Sequence, residues 1–445
     1  MEGKHIFFKD VFVKRQFWVV VFCCFICMRC FGLIEIYSID ELQKIGREEG
    51  YPQDGEYKLM NDIDASETIA WNDNEGFSPI GDMSTPFTGK FDGNGKRIRN
   101  LYIGVRSTYK GLFGVVDGGA EIKNLGLENV CVFNFAQYIG GLAGALNSGI
   151  LQGCYSIGIV VGDGGGSVGG LVGTVGENGH ISNCFAMGFA SGSEVGGLVG
   201  YNYGTIEYSY STTRILGIIT RGGLVARNIG IVNYSYWDKE VSGYPFSEGG
   251  EGKATSEMKQ QSTFAGWDFS TVWTMQVGVT YPYLQGVGLY TELPSPEEKE
   301  IWNIEDLQKI GRDVEFPMNG IYKLMVDIDA SETINWNDGA GFIPLLFCGS
   351  FDGNGHKIQN LYICRPNDSE VGLFRKILSG GEVRDLTIEE VWVVGGGNVG
   401  ILAGVNLGVV NQCVVEGVVA GRGIVGGLIG NMEEYSQVIQ SKSRA

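Results

Sequence analysis

Two Asp-x-Asp pairs, Asp62-x-Asp64 and Asp327-x-Asp329, are the residues whose type and spacing first suggest chemistry. Carboxylate oxygens are hard ligands, and calcium takes about six to eight of them. Each pair is followed by Ala-Ser-Glu, with no further acidic cluster at ligand spacing. The residues therefore favour Asp side chains that cap backbone turns. The phrase GDGGGS, Gly162 to Ser167, has the composition of a calcium-binding nonapeptide turn. A calcium solenoid needs that turn in tandem and it occurs once, so it reads as a loop. FDGNG at Phe91 and Phe351 reads as a turn entering a strand. No metal and no cofactor are expected.

Other catalytic sets fail on supply. The chain has three histidines, His5, His180 and His356. Six cysteines lie beyond the first 32 residues: Cys131, Cys154, Cys184, Cys348, Cys364 and Cys413. None forms a Cys-x-x-Cys pair, so a zinc site lacks ligands. A glycosidase needs two carboxylates at roughly 5–10 Å, and from Gly140 to Gly204 only Asp163, Glu177 and Glu194 are available, in turn-like contexts. No catalytic residue is assigned. Tyr201, Tyr203, Tyr208, Tyr210, Tyr234, Tyr236 and Trp237 form an aromatic concentration. One reading is an outward strip that stacks on sugars or binds protein. The competing one turns about half of these rings inward or against a closing segment.

Charge narrows the partners. Lys and Arg number 33 against 51 Asp and Glu, a net charge of −18. No basic run is interleaved with aromatics, so nucleic acid is not an expected partner. An acidic surface favours solubility and repels anionic membranes.

The elements that must hold these residues are repeats. Glycine numbers 71 in 445 residues, more than twice the ordinary share of about 7%. It recurs in phrases such as Gly196-Gly197-Leu198-Val199-Gly200, whose leucines are Leu112, Leu142, Leu171, Leu198 and Leu224, at spacings of 30, 29, 27 and 26. Leu373, Leu402 and Leu428 continue the series at 29 and 26. A larger repeat encloses this one. YKLMNDIDASETIAWND from Tyr57 returns as YKLMVDIDASETINWND from Tyr322, an offset of 265. FDGNGKRIRNLYI from Phe91 returns as FDGNGHKIQNLYI from Phe351, an offset of 260. The chain thus holds two copies of one module, assigned to residues 33–289 and 301–445, with 290–300 as a Pro-rich charged linker. The second copy lacks a counterpart of YWDKEVSG, Tyr236 to Gly243, and of the segment after it, so it reads as cut short.

Strands of four or five residues, broken by Asn-Gly turns at a fixed repeat of 26–30, predict an all-β fold, a parallel β-solenoid. Stacking would align the leucines in one inward ladder and Ile181, Ile206 and Val232 in another. A third ladder holds the small residues Cys154, Cys184, Ser209, Ser235 and Cys413. Glycines in strands and turns cost about 0.5–1 kcal/mol each relative to alanine. Inward apolar side chains return about 1.5–3 kcal/mol each, but only when covered above and below, so a lone coil would not hold. Cys154 and Cys184, on neighbouring coils, fall within disulfide range. Because Ser fills the same column elsewhere, buried thiols are favoured. Short N-terminal capping helices are expected: Ser38 with Glu41, then Leu42 and Ile45, with Gly50 as the stop; and Asn303 with Asp306, then Leu307 and Ile310. Thr255 to Trp273, within a cap of about residues 240–289, is expected to close the first copy. The last coil of the second copy should be exposed.

The first 32 residues differ in kind. Lys4, Lys9, Lys14 and Arg15 precede the twelve-residue apolar run Phe17–Met28, shorter than the about 20 residues a membrane span needs. This pattern reads as a secretory signal peptide, the only expected contact with a membrane.

At its glycine-leucine phrases, at FDGNGHKIQNLYI and at YWDKEVSG, the chain resembles the bacterial GLUG-repeat proteins, over about residues 36–430. The resemblance implies a right-handed parallel β-helix in exported or cell-surface, often adhesin-like, proteins. Such repeats also accompany IgA-specific metallopeptidases with a His-Glu-x-x-His zinc site. His5, His180 and His356 are each followed by Ile or Lys, so that activity does not carry over. The reading is a secreted or surface scaffold, non-enzymatic, whose partner is a glycan or an extracellular protein. The alternative is a polysaccharide lyase or hydrolase, since parallel β-helices host such chemistry.

Overall fold

The computed structural model describes residues 32–287 and 298–445, except 106, 134–135, 163–165, 314, 379 and 434–435. The expected leader except Gly32, most of the linker, and Asp163 with its two following glycines lie outside the described residues.

The fold is the expected all-β solenoid, with 49% of the chain in strands stacked through about 12 coils. Pairing between coils is parallel and follows the repeat. Leu142 donates its amide to Leu171 O at 2.9 Å, Leu171 to Leu198 O at 3.0 Å, and Leu198 to Leu224 O at 2.9 Å. Ile181 pairs with Ile206, and Ile206 with Val232. The leucines of the first copy are fully buried. In the second copy Leu373 and Leu402 are too, while Leu428 is half-buried.

The glycine phrase is explained by how closely coils approach. A Cβ on Gly197 would overlap the carbonyl oxygen of Gly223 on the next coil, and one on Gly200 would lie 2.9 Å from Val168 N. Leucine fills the core between two positions that admit no side chain.

Several sequence expectations need correction. Most strands are short as expected, but several run well past five residues, reaching 13 in Tyr210–Gly222. The turns expected at Asn147 and Asn178 lie inside strands Ala143–Gln152 and Val172–Ser182, which absorb the extra residue as a register shift between Leu146 and Ser148. A bulge kinks a strand and keeps the ladder on both sides. At Asn202 and Asn406 the expected turns form, with each Asn Oδ1 accepting the amide two residues on, from Gly204 at 3.1 Å and Gly408 at 3.0 Å.

Both capping helices are present, Ile39–Lys44 and Ile304–Lys309. Ser38 Oγ accepts from Glu41 N at 3.3 Å and Asn303 Oδ1 from Asp306 N at 2.7 Å. Gly50 is not the stop. The first helix ends at Lys44 with Ile45 as its C-cap, and Gly46 takes the left-handed conformation that turns the chain away (φ +75°).

The closing segment also differs in place. The end of the first stack is covered by the helix Lys239–Ser242 and by strand Glu251–Lys253, which pairs with Tyr236–Asp238. Thr255 to Trp273 runs along the flank, where Met258, Phe264, Trp267 and Trp273 bury a ladder of Tyr155, Phe185, Tyr210 and Tyr236. Stacked rings at 4.7 and 5.1 Å make that ladder a broad apolar face that must be covered. The last coil of the second copy, with strands Gln437–Ile439 and Lys442–Arg444, is exposed as expected.

The two copies pack side against side. Tyr102, Cys131, Phe133, Ile159 and Val161 of the first form a shared core with Met318, Leu346 and Leu378 of the second. Arg375 Nη2 donates to the Tyr102 hydroxyl across the junction at 2.7 Å.

Candidate functional site

At one corner of the first stack, short strands bring aromatic and charged side chains to the surface together. Tyr109–Lys110 pairs with Tyr138–Gly140, which pairs with Ser167–Gly169, which pairs with the Glu194 end of Phe185–Gly196. Alternation along each strand turns Ile139 and Val168 into the core and leaves Tyr138 outward. Tyr109 and Tyr138 stack at 5.2 Å with planes 16° apart. Beside them Tyr201 and Tyr203 stack at 4.3 Å. A hydrogen bond with Tyr201, helped by burial and by the nearby Tyr201, Tyr138 and Glu194, pushes the Tyr203 hydroxyl up to about 12. Glu194 is anchored there, accepting from Ser167 Oγ at 3.0 Å and pairing with Arg227 Nη2 at 2.8 Å. The result is a partly exposed row of flat apolar faces rimmed by hydroxyls, a carboxylate and a guanidinium. That is the chemistry of recognition by stacking and hydrogen bonding.

The seven aromatics singled out in the sequence divide. Tyr210, Tyr236 and Trp237 are buried. Tyr208 and Tyr234 stack on each other at 5.2 Å, with Tyr234 exposed and Tyr208 packed beside the closing segment. Tyr201 and Tyr203 reach the corner. Tyr109 and Tyr138 escape sequence reasoning, although both sit just before the glycine phrase, 29 residues apart.

The aspartate pairs act in turns and ion pairs. Asp64 Oδ1 accepts from Ser66 N at 3.0 Å and Asn100 Nδ2 at 2.9 Å, and Asp329 does the same with Ser331 and Asn360 at 3.0 and 2.9 Å. Asp62 binds Arg97 at 2.8 Å and lies 3.5 Å from Arg99. Both arginines also meet Glu128, which accepts from the Tyr155 hydroxyl at 2.7 Å. In the second copy His356 Nδ1 lies 3.0 Å from Asp327. His180 lies 3.7 Å from Glu207. Glu177 is exposed within strand Val172–Ser182, while Glu194 is committed to Arg227. Among the described residues no three of His, Cys, Asp and Glu gather as metal ligands, and no helix is long and apolar enough to cross a membrane.

The small-residue ladder is a hydrogen-bonded column. Cys154 N donates to Cys184 Sγ at 3.4 Å, Cys184 N to Ser209 Oγ at 3.1 Å, and Ser209 N to Ser235 Oγ at 3.2 Å. Each hydroxyl or thiol donates in turn to the carbonyl two residues earlier, as in Ser209 Oγ to Glu207 O at 2.7 Å. Cys154 and Cys184 are thiols, and burial pushes the Cys184 thiol well up.

With this fold, the chain is a glycine-punctuated β-solenoid carrying the GLUG motif, whose family model matches residues 191–215. Halomucin of Haloquadratum walsbyi is 39% identical over 178 residues, 37% of this chain and 2% of that protein. An immunoglobulin A1 protease of Streptococcus sanguinis is 30% identical over 143 residues, 31% of this chain and 7% of that protein. The matches therefore span only a small part of those relatives. A crystal structure from Bacteroides ovatus, of a protein named for the immunoglobulin A1 proteases, is similar at 20% identity and a TM-score of 0.42, over 57% of this chain and 92% of its own.

Proposed function

We propose that this protein is a secreted or cell-surface β-solenoid that works without catalysis, presenting the corner around Tyr138, Glu194, Tyr201 and Tyr203 to a glycan or an extracellular protein. One observation carries the reading: two stacked tyrosine pairs and an anchored carboxylate share a surface built on a rigid stack. Aromatic rings offer large contact area at little cost in side-chain freedom. The names of the relatives, halomucin and an immunoglobulin A1 protease among them, are compatible with a role outside the cell.

A glycan array with the full chain, followed by calorimetry on the best ligand, tests it. Tyr138→Ala and Tyr203→Ala should each weaken binding at least about tenfold while leaving the melting temperature within a few degrees. Binding untouched by both substitutions would remove the corner as the site. Depolymerisation of an acidic polysaccharide by the protein would replace the scaffold reading with the enzymatic one.

A further inference from the structure

The two copies of one motif give opposite fates to the same arginine. In the first copy the helix Ile39–Lys44 is seated by Gln43, which exchanges hydrogen bonds with Ser78 O and N at 3.1 and 3.0 Å. Arg47, three residues beyond that helix, donates to Ser78 O at 3.1 Å and Pro79 O at 2.7 Å. In the second copy Gln308 keeps the seat, with Ile343 O and N at 3.0 and 2.8 Å. Arg312, the counterpart of Arg47, leaves those carbonyls and lines the cleft between the modules. Its Nε is buried with no hydrogen-bond acceptor, and so is that of Arg375 across the same cleft.

The cleft is cationic by local substitution. Aligning NLYI and GLF of the two copies sets Arg365 against Val105, Arg375 against Gly114 and Lys376 against Val115. In a chain of net charge −18, these three cations stand at positions where the first copy has Val, Gly and Val. Three carboxylates answer them in part: Asp313 lines the cleft beside Arg312, Asp368 lies 3.6 Å from Arg365, and Glu370 lies 3.9 Å from Arg375 and 3.4 Å from Lys376. Burial, then the charges of Arg365 and Arg375, pulls the Arg312 guanidinium down to about 10. The open space is about 40 Å³, more than one water requires and small for a whole sugar ring.

We propose that this inter-module cleft binds a single oxyanion group through Arg312, Arg365 and Arg375. Guanidinium forks match the paired oxygens of sulfate, phosphate and carboxylate, and an anion would offer an acceptor to the Nε groups of Arg312 and Arg375, which have none. The site is separate from the tyrosine corner and does not depend on its function.

Calorimetric titration of the full chain with sodium sulfate, phosphate, acetate and glucuronate, against sodium chloride at matched ionic strength, tests it. At least one oxyanion should bind saturably where chloride does not. Arg312→Gln and Arg365→Gln should each raise Kd at least tenfold, while Lys90→Gln, which removes an exposed cation, leaves it unchanged. Preference for glucuronate over acetate would identify the anion as part of a sugar, and preference for sulfate or phosphate as a free or esterified tetrahedral group. Without anion, Arg312→Gln should melt no lower than the parent, since it removes an uncompensated charge. The proposal is overturned by a response equal to that of chloride, by equal loss in Lys90→Gln, or by an Arg312→Gln that melts lower yet titrates normally.

Discussion

A single column of small side chains shows how this solenoid satisfies its interior polar groups. Cys154 N sits in a fully buried position and its acceptor is the thiol of Cys184 on the next coil. Cys184→Ser should therefore be nearly neutral, because Ser209 and Ser235 do the same job below it. Cys184→Ala removes the acceptor and strands the amide, at a cost of about 1–3 kcal/mol on top of the small cavity it leaves; urea unfolding of the two variants separates the cases. Asp62 gives a pH signature. Burial opposes ionisation, but hydrogen bonds from Arg97 and the charges of Arg97 and Arg99 hold the carboxyl below its usual range. A lowered folded-state value gives stabilisation that is full above the unfolded pKa of about 3.9 and lost as pH falls through the folded value. Asp62→Asn should thus be less stable than the parent near neutrality, and the gap should close as unfolding is repeated at pH below about 3.

At the scale of the coil, position in the stack sets the energy. Leu198 is buried with coils on both sides, whereas Leu428 is half-buried near the exposed last strands. Leu198→Ala should cost about 2–5 kcal/mol and Leu428→Ala distinctly less, as read by denaturant midpoints. A gradient of this kind follows from nearest-neighbour stabilisation. The flank segment makes a second point about elements. Tyr210 donates its hydroxyl to Pro282 O at 2.6 Å, and Trp273 Nε1 donates to Asn183 Oδ1 at 3.1 Å. The segment is thus fastened to the middle of the stack as well as to its end.

For the whole molecule, the side-by-side junction couples the modules. Leu346 and Leu378 are buried against Cys131, Phe133 and Ile159, and Arg375 stands over the Phe133 ring at 5.7 Å. If a protease site is inserted at Pro294 and cut, the two halves should still co-elute in gel filtration. Leu378→Asp, which buries an unpaired charge in the shared core, should let them separate.

The repeat spacing, the inward leucines, the cap residues Ser38 and Asn303 and the column of Cys and Ser could all be read from the sequence. The caps act on an amide three residues on, and the others depend on neighbours one coil away, a relation that a periodic chain writes as a constant offset. Outward side chains obey no such offset. Tyr155, Phe185, Tyr210 and Tyr236 sit in register like the leucines, yet whether water or Trp273 covers them depends on a segment that does not repeat. The same holds for Tyr109 and Tyr138, which meet Tyr201 and Tyr203 only because two faces of the solenoid join at that corner. Arg47 and Arg312 make the division plainest. They occupy corresponding places in one repeated motif, 265 residues apart. The junction with the other module sets the two apart, because contact between faces distant in sequence is a property of the folded surface and leaves no period to read.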